Sequence, residues 1–139
     1  MTTHAALVAD YMRKAERTLD EARLLLQAEK TEGACSRAYY AMHDAAHAAL
    51  LATGFETPDA IIKTHHTLIA EFGKRLVLGG QLDATHGRAF NKVQEMRLVS
   101  DYSAEPPSLD NAQEAVEKAE AFVAAIRSLI AKLKPHPRA

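Results

Sequence analysis

The chain has no tryptophan, one cysteine and only 6% aromatic residues among its 139. The lone Cys35 excludes an internal disulfide and a cysteine-rich zinc site, and it is compatible with a reducing compartment. Neither sign of charge prevails: 17 Lys and Arg face 18 Asp and Glu, for a net charge of −1. Contact with nucleic acid or a membrane would therefore have to come from a local patch rather than from the overall field. No apolar run approaches the ~20 residues of a spanning helix. The N-terminal stretch "MTTHAALVAD" lacks a basic segment followed by an apolar one, so no signal peptide is expected. These absences predict a soluble, cytoplasmic protein that does not engage a membrane.

Proline (5) and glycine (6) are scarce and gather at a few junctions, no stretch alternates with period two, and no glycine-rich phosphate loop occurs. What remains is alanine-rich helical sequence. Leu7, Val8, Tyr11, Met12, Ala15, Leu19, Ala22, Leu25 and Leu26 recur at three- and four-residue steps and predict a first helix over about 5–30. "TEG" (Thr31 to Gly33) reads as a break. A second helix follows over about 34–53, apolar nearly all round and so expected at the centre of the fold. A shorter helix is expected over about 62–78 up to Gly79 and Gly80, and a fourth from about Asp83 to the "EPP" that ends it. The last, over about 109–133, is opened by Ser108 as cap. The expected fold is all-α, an up-and-down bundle of four to five helices, with residues 1–134 as a single domain and 135–139 as a flexible tail.

The second helix carries "HDAAH", which puts His43 and His47 on one face four residues apart. Two imidazoles at that spacing can share a metal, as in H-E-x-x-H hydrolases. A catalytic zinc needs a third ligand, however, and neither His65, His66 nor a particular carboxylate is singled out by spacing. Asp44 is also shorter than the usual Glu. The two histidines read better as lining a polar seam or subunit interface, with no metal or other cofactor required. "THH" (Thr64 to His66) similarly reads as a helix N-terminus capped by Thr64.

"SRAYYAMHDAAHAAL" on the second helix, "KTHHTLIAEFGKRLV" on the third and "VQEMRLVSDYS" on the fourth together resemble a HEPN domain. The likeness is to the small prokaryotic branch with an S-R-x-Y-Y-A and a later R-x-x-x-D-Y stretch, and it runs from about Tyr11 to Leu133. The resemblance implies a helical bundle that forms a homodimer with a cleft on the two-fold axis. It also implies action on RNA as a metal-independent ribonuclease in a toxin–antitoxin or defence module, and pairing with a minimal nucleotidyltransferase as antitoxin. Active family members carry Arg, four to six residues, then His on a late helix. Here Arg97 is followed by Asp101 and Tyr102, and the next histidine is His136. Arg37 and His43 have the right separation but lie on the second helix.

Metal-free RNA cleavage needs a base for the 2′-hydroxyl, an acid for the leaving oxygen and positive charge at the phosphate. Arg97 can supply the charge and bind phosphate bidentately. Asp101 shares its face one turn on, and His43 is an imidazole of the type that titrates near neutrality. Arg37, Tyr40, His47 and Tyr102 complete a composite site for RNA or nucleotide, with a tyrosine available to stack on a base. The competing expectation is structural: Arg37, in an apolar helix, pairs with Asp101, and Tyr40 and Tyr102 pack beside that bridge. Arg88, Lys92 and Arg97 form either a phosphate-facing strip or a solvated face. If the missing histidine abolishes catalysis, the alternative is a non-catalytic subunit that binds the nucleotidyltransferase or its nucleotide.

Overall fold

In a computed structural model that describes residues 3–133, four of the five α-helices begin where a side chain satisfies a free amide. Thr3 caps α1 (His4–Gln27), Thr64 caps α3 (His65–Phe72), Asp83 caps α4 (Ala84–Tyr102) and Ser108 caps α5 (Leu109–Lys132). Only α2 (Thr31–Ala52) lacks a side-chain cap. The described residues contain no β-strand, and the all-α bundle expected from the periodicity is what forms. The tail expected at 135–139 lies outside the described residues.

"TEG" is not the break between the first two helices. It forms the first turn of α2, and the chain reverses over Ala28–Lys30, with Glu29 at φ 58. The reason is the tightness of the α1–α2 contact. A Cβ on Gly33 would lie 3.1 Å from Leu25 Cδ1, so the glycine serves close packing rather than a turn. The third helix likewise starts later than expected and ends in a five-residue π-helical turn, Gly73–Val77, closed by the Leu78 N–H donating to the Gly73 carbonyl at 2.9 Å.

α2 is the central element. It packs most heavily on α1 and touches α3, α4 and α5 as well. Its small residues Ala34, Ala38, Ala41, Ala45, Ala46 and Ala49 are fully buried, and they let the neighbouring helices approach. The buried phenylalanines of the core come from the outer helices. Phe72, Phe90 and Phe122 meet with ring centroids 4.9–5.5 Å apart, and Tyr39 of α2 stacks on Phe90 at 5.9 Å. Each such ring contributes roughly 1.5–3 kcal/mol by burial alone. Tyr39 thus stands with one face on the core, and the candidate site is built on the rest of it.

Candidate functional site

Three helices deliver the polar side chains around Tyr39. From α4 comes Arg97, only 9% exposed, with its guanidinium carbon 4.9 Å from the Tyr39 ring centroid and 5.5 Å from that of Tyr40. Such contacts stabilise a desolvated cation by about 1–2 kcal/mol. Arg97 donates from Nη1 to Asp101 Oδ2 at 2.7 Å and from Nε to Gln94 Oε1 at 3.0 Å. Asp101 therefore orients the guanidinium from one turn further on, leaving part of its donor fork uncommitted.

The bridge between Arg37 and Asp101 does not form. Asp101 pairs with Arg97, while Arg37 reaches back to Glu21 of α1 at 3.7 Å. Arg37 also lies 5.4 Å from the Tyr40 centroid, so Tyr40 has guanidinium groups from both Arg37 and Arg97 against it. Nor do Arg88, Lys92 and Arg97 make a strip: the first two are exposed, whereas Arg97 turns inward. The inward turn follows from the aromatic contacts, which shield the guanidinium more favourably than a polar helix face can.

The histidines form a second layer. His43 is half-buried, with its ring 4.7 Å from that of His47 and 5.1 Å from that of His65, the first residue of α3. Its Nδ1 edge faces Asp44 Oδ1 at 3.3 Å, and its Nε2 has no hydrogen-bond partner among the described residues. His47 lies behind it, buried, and its Nδ1–H donates to both oxygens of Glu56 at 2.9 and 3.0 Å. Glu56, in the loop after α2, is wholly buried and also accepts the Ile62 N–H at 2.7 Å. Burial pushes the Tyr11 hydroxyl above its ordinary range, and the Glu56 and Asp44 carboxylates reinforce this. Among the described residues, no group of three His, Cys, Asp or Glu side chains is arranged to hold a metal ion. The Nδ1 edges of His43 and His47 are turned to separate carboxylates, Asp44 and Glu56.

His65 and Tyr39 were not among the residues singled out by sequence. Tyr39 Oη and His65 Nδ1 are 2.6 Å apart. Burial holds the Tyr39 proton on far above its ordinary range, and His65 Nδ1 is the one acceptor within its reach among the described residues, which makes the hydroxyl the donor. His65 is held below the usual imidazole value, chiefly by burial and further by repulsion from His43, Arg97 and His47. No spacing pairs the Tyr39 of "SRAYYA" with the His65 of "THH", since only the docking of α3 on α2 brings them together.

Of the seven residues singled out, Arg37, Tyr40, His43, Arg97 and Asp101 thus gather on one side of the α2–α4 contact. His47 sits beneath them, and Tyr102 extends from the end of α4, 86% exposed. Val99 (64%) and Leu98 (38%) accompany it, an apolar stretch beside the arginine.

Comparison with known sequences bears on this arrangement. A profile of the HEPN domain matches residues 8–129. A protein of Thermotoga maritima named "UPF0332 protein" is 31% identical over 135 residues, covering 96% of this chain and 98% of its own. A protein of Methanocaldococcus jannaschii that bears the name "Putative toxin" is 30% identical over 119 residues, or 86% and 85% of the two chains. A further "UPF0332 protein", from Gloeobacter violaceus, is 33% identical over 93 residues, or 67% and 70%. Among the described residues, no helix is long and apolar enough to cross a membrane.

Proposed function

Because the chain belongs to the HEPN domain family, we propose that it is the toxin or effector of a toxin–antitoxin or defence module and cleaves RNA without a metal. The observation that carries the reading is the inward-facing Arg97, clasped by Tyr39, Tyr40 and Asp101 beside a layer of three histidines. A buried guanidinium with donors to spare is a preorganised phosphate site.

In this reading Arg97 binds the scissile phosphodiester and Asp101 sets its orientation. His43, backed by Asp44, takes the 2′-hydroxyl proton through Nε2. The 2′-oxygen attacks the adjacent phosphorus, and the 5′-oxygen leaves with a proton drawn from solvent. The products are a 2′,3′-cyclic phosphate and a 5′-hydroxyl. Tyr102, free of packing, stacks on an unpaired base, while Arg37 and Tyr40 extend the positive, aromatic wall. His47 contributes from below by holding His43 in place. The exposed Leu98, Val99 and Tyr102 favour a homodimer with the cleft at its two-fold axis, and a nucleotidyltransferase-like antitoxin is the expected partner.

One observation favours the second reading, a non-catalytic subunit that binds a nucleotidyltransferase or its nucleotide. The positions where active family members carry histidine are Tyr102, Ser103 and Ala104 here, and the carboxylate just before them, Asp101, engages Arg97 at 2.7 Å. Induced expression in a bacterial host separates the two. The toxin reading predicts growth arrest with fragmented RNA, abolished by Arg97→Ala and relieved by the cognate partner. Unimpaired growth with intact RNA, together with stable co-purification of the partner, would favour the binding subunit.

A further inference from the structure

The hydrogen bond between Tyr39 and His65 has an unusual sense. A histidine poised as a base normally donates its Nδ1–H to a carboxylate or carbonyl, which leaves Nε2 free to accept, and His43 and His47 are both held this way, by Asp44 and Glu56. At His65 the partner is a phenol instead, fully buried with its face on Phe90 and Arg97 beside it. That hydroxyl proton has one acceptor among the described residues, His65 Nδ1 at 2.6 Å. A neutral imidazole whose Nδ1 accepts carries its proton on Nε2.

Adding a second proton at Nδ1 would reverse this bond and strand the Tyr39 hydroxyl proton in the core, which costs the desolvation of a buried donor. The groups facing His65 are Tyr39, Tyr40, His43 and, further in, His47 from α2, together with Arg97 from α4. None of these is a carboxylate that would favour the protonated ring.

We propose that Tyr39 fixes His65 as the neutral Nε2–H tautomer, making His65 a hydrogen-bond donor to a phosphate oxygen in the cleft that Arg97 and His43 share. The assignment rests on the phosphodiester reading given above for its ligand, though not for its tautomer. It divides the labour between the histidines by their partners: a carboxylate behind His43 makes a base, and a phenol behind His65 makes a donor. A neutral donor strengthens the grip on a developing phosphorane charge without bringing a proton that could compete with His43.

The test has two arms. The first is a ¹⁵N–¹H correlation spectrum of the histidine rings at neutral pH. The expected result is an Nε2–H signature for His65, mixed with the Nδ1–H form in Tyr39→Phe, whose ring keeps the core contact but loses the hydroxyl. An Nδ1–H or doubly protonated His65 in the wild type overturns the proposal. The second arm measures binding of a short 2′-O-methyl oligoribonucleotide, which cannot be cleaved. His65→Asn keeps an acceptor for Tyr39 but lacks the distal donor, and it is expected to bind roughly three- to tenfold more weakly, the effect of one neutral hydrogen bond. His65→Gln places an amide N–H near the Nε2 position and is expected to restore most of the affinity. If His65→Asn and His65→Gln both bind like wild type, the donor role is wrong although the cleft reading survives. If the wild-type protein binds no oligonucleotide, the cleft reading fails and takes the donor role with it, whatever the tautomer.

Discussion

Replacing Glu56 with alanine tests whether the histidine layer is held by a buried carboxylate. Glu56 is 0% exposed and accepts from His47 Nδ1 at 2.9 and 3.0 Å and from the Ile62 N–H at 2.7 Å. Alanine leaves two donors without partners, the His47 ring in the interior and the half-buried Ile62 amide. A buried donor stripped of its partner costs about 1–3 kcal/mol, two donors lose theirs at once, and the space the side chain vacates adds a cavity cost. The expected loss for Glu56→Ala is therefore about 3–5 kcal/mol. At a size between the usual calibration classes, 1 kcal/mol shifts Tm by roughly 4 °C, so the melt should fall by roughly 12–20 °C. Glu56→Gln keeps a carbonyl but turns an amide donor toward a donor, and its loss should be smaller, about 1–3 kcal/mol. Urea titration with an unchanged m-value gives the numbers, and Glu105→Ala, on the exposed α4–α5 loop, is the control expected within about 0.5 kcal/mol of wild type. A Glu56→Ala protein within about 1 kcal/mol of wild type would refute the reasoning, because Ile62 and His47 would then have to be satisfied without the carboxylate.

Three further outcomes follow from the packing and the titrating groups. Gly79→Ala places a Cβ 2.3 Å from the Arg75 carbonyl oxygen, and neither atom can swing away, so urea denaturation should show a loss of roughly 1–3 kcal/mol. The Cys35 thiol is buried and burial pushes it up to about 11, so it should react with Ellman's reagent at neutral pH only as fast as the protein unfolds, and rapid stoichiometric labelling of the native protein would contradict its placement. His65 sits below the ordinary imidazole value, so the unfolded chain takes up its proton at a higher pH than the native state. Its contribution to stability is complete above about pH 6.5 and is lost as pH falls below that, and His65→Asn should flatten this part of a stability-versus-pH curve.

The helices were legible because their signals are local. Ser108 and Thr64 cap the helices they were expected to open, and Val8, Ala15, Leu19 and Ala22 of the first helix are buried as their period required. The first break was misplaced because glycine has two uses. The sequence offers Gly33 as a turn, whereas the structure uses it for contact with Leu25, and the reversal falls on Glu29, a residue with no turn signature.

At the site, the i, i+4 pairing of Arg97 with Asp101 is written in the spacing. The partner of Arg37 is not, since Glu21 lies on another helix and is brought near only by how α1 and α2 cross. Glu56 and Tyr39 went unmarked for a similar reason. A carboxylate in "GFETPD" reads as a loop residue, and the first tyrosine of "AYYA" reads as core, until tertiary packing gives each a histidine.

The account stands or falls on whether the cleft acts on RNA by itself. The direct measurement is incubation of the purified protein with mixed cellular RNA in excess EDTA, alongside Arg97→Ala and His43→Asn, with the new ends identified chemically. The account predicts cleavage in EDTA that leaves 2′,3′-cyclic phosphate and 5′-hydroxyl ends and disappears in both variants. RNA left intact by the wild-type protein, or cut equally well without Arg97, would contradict it.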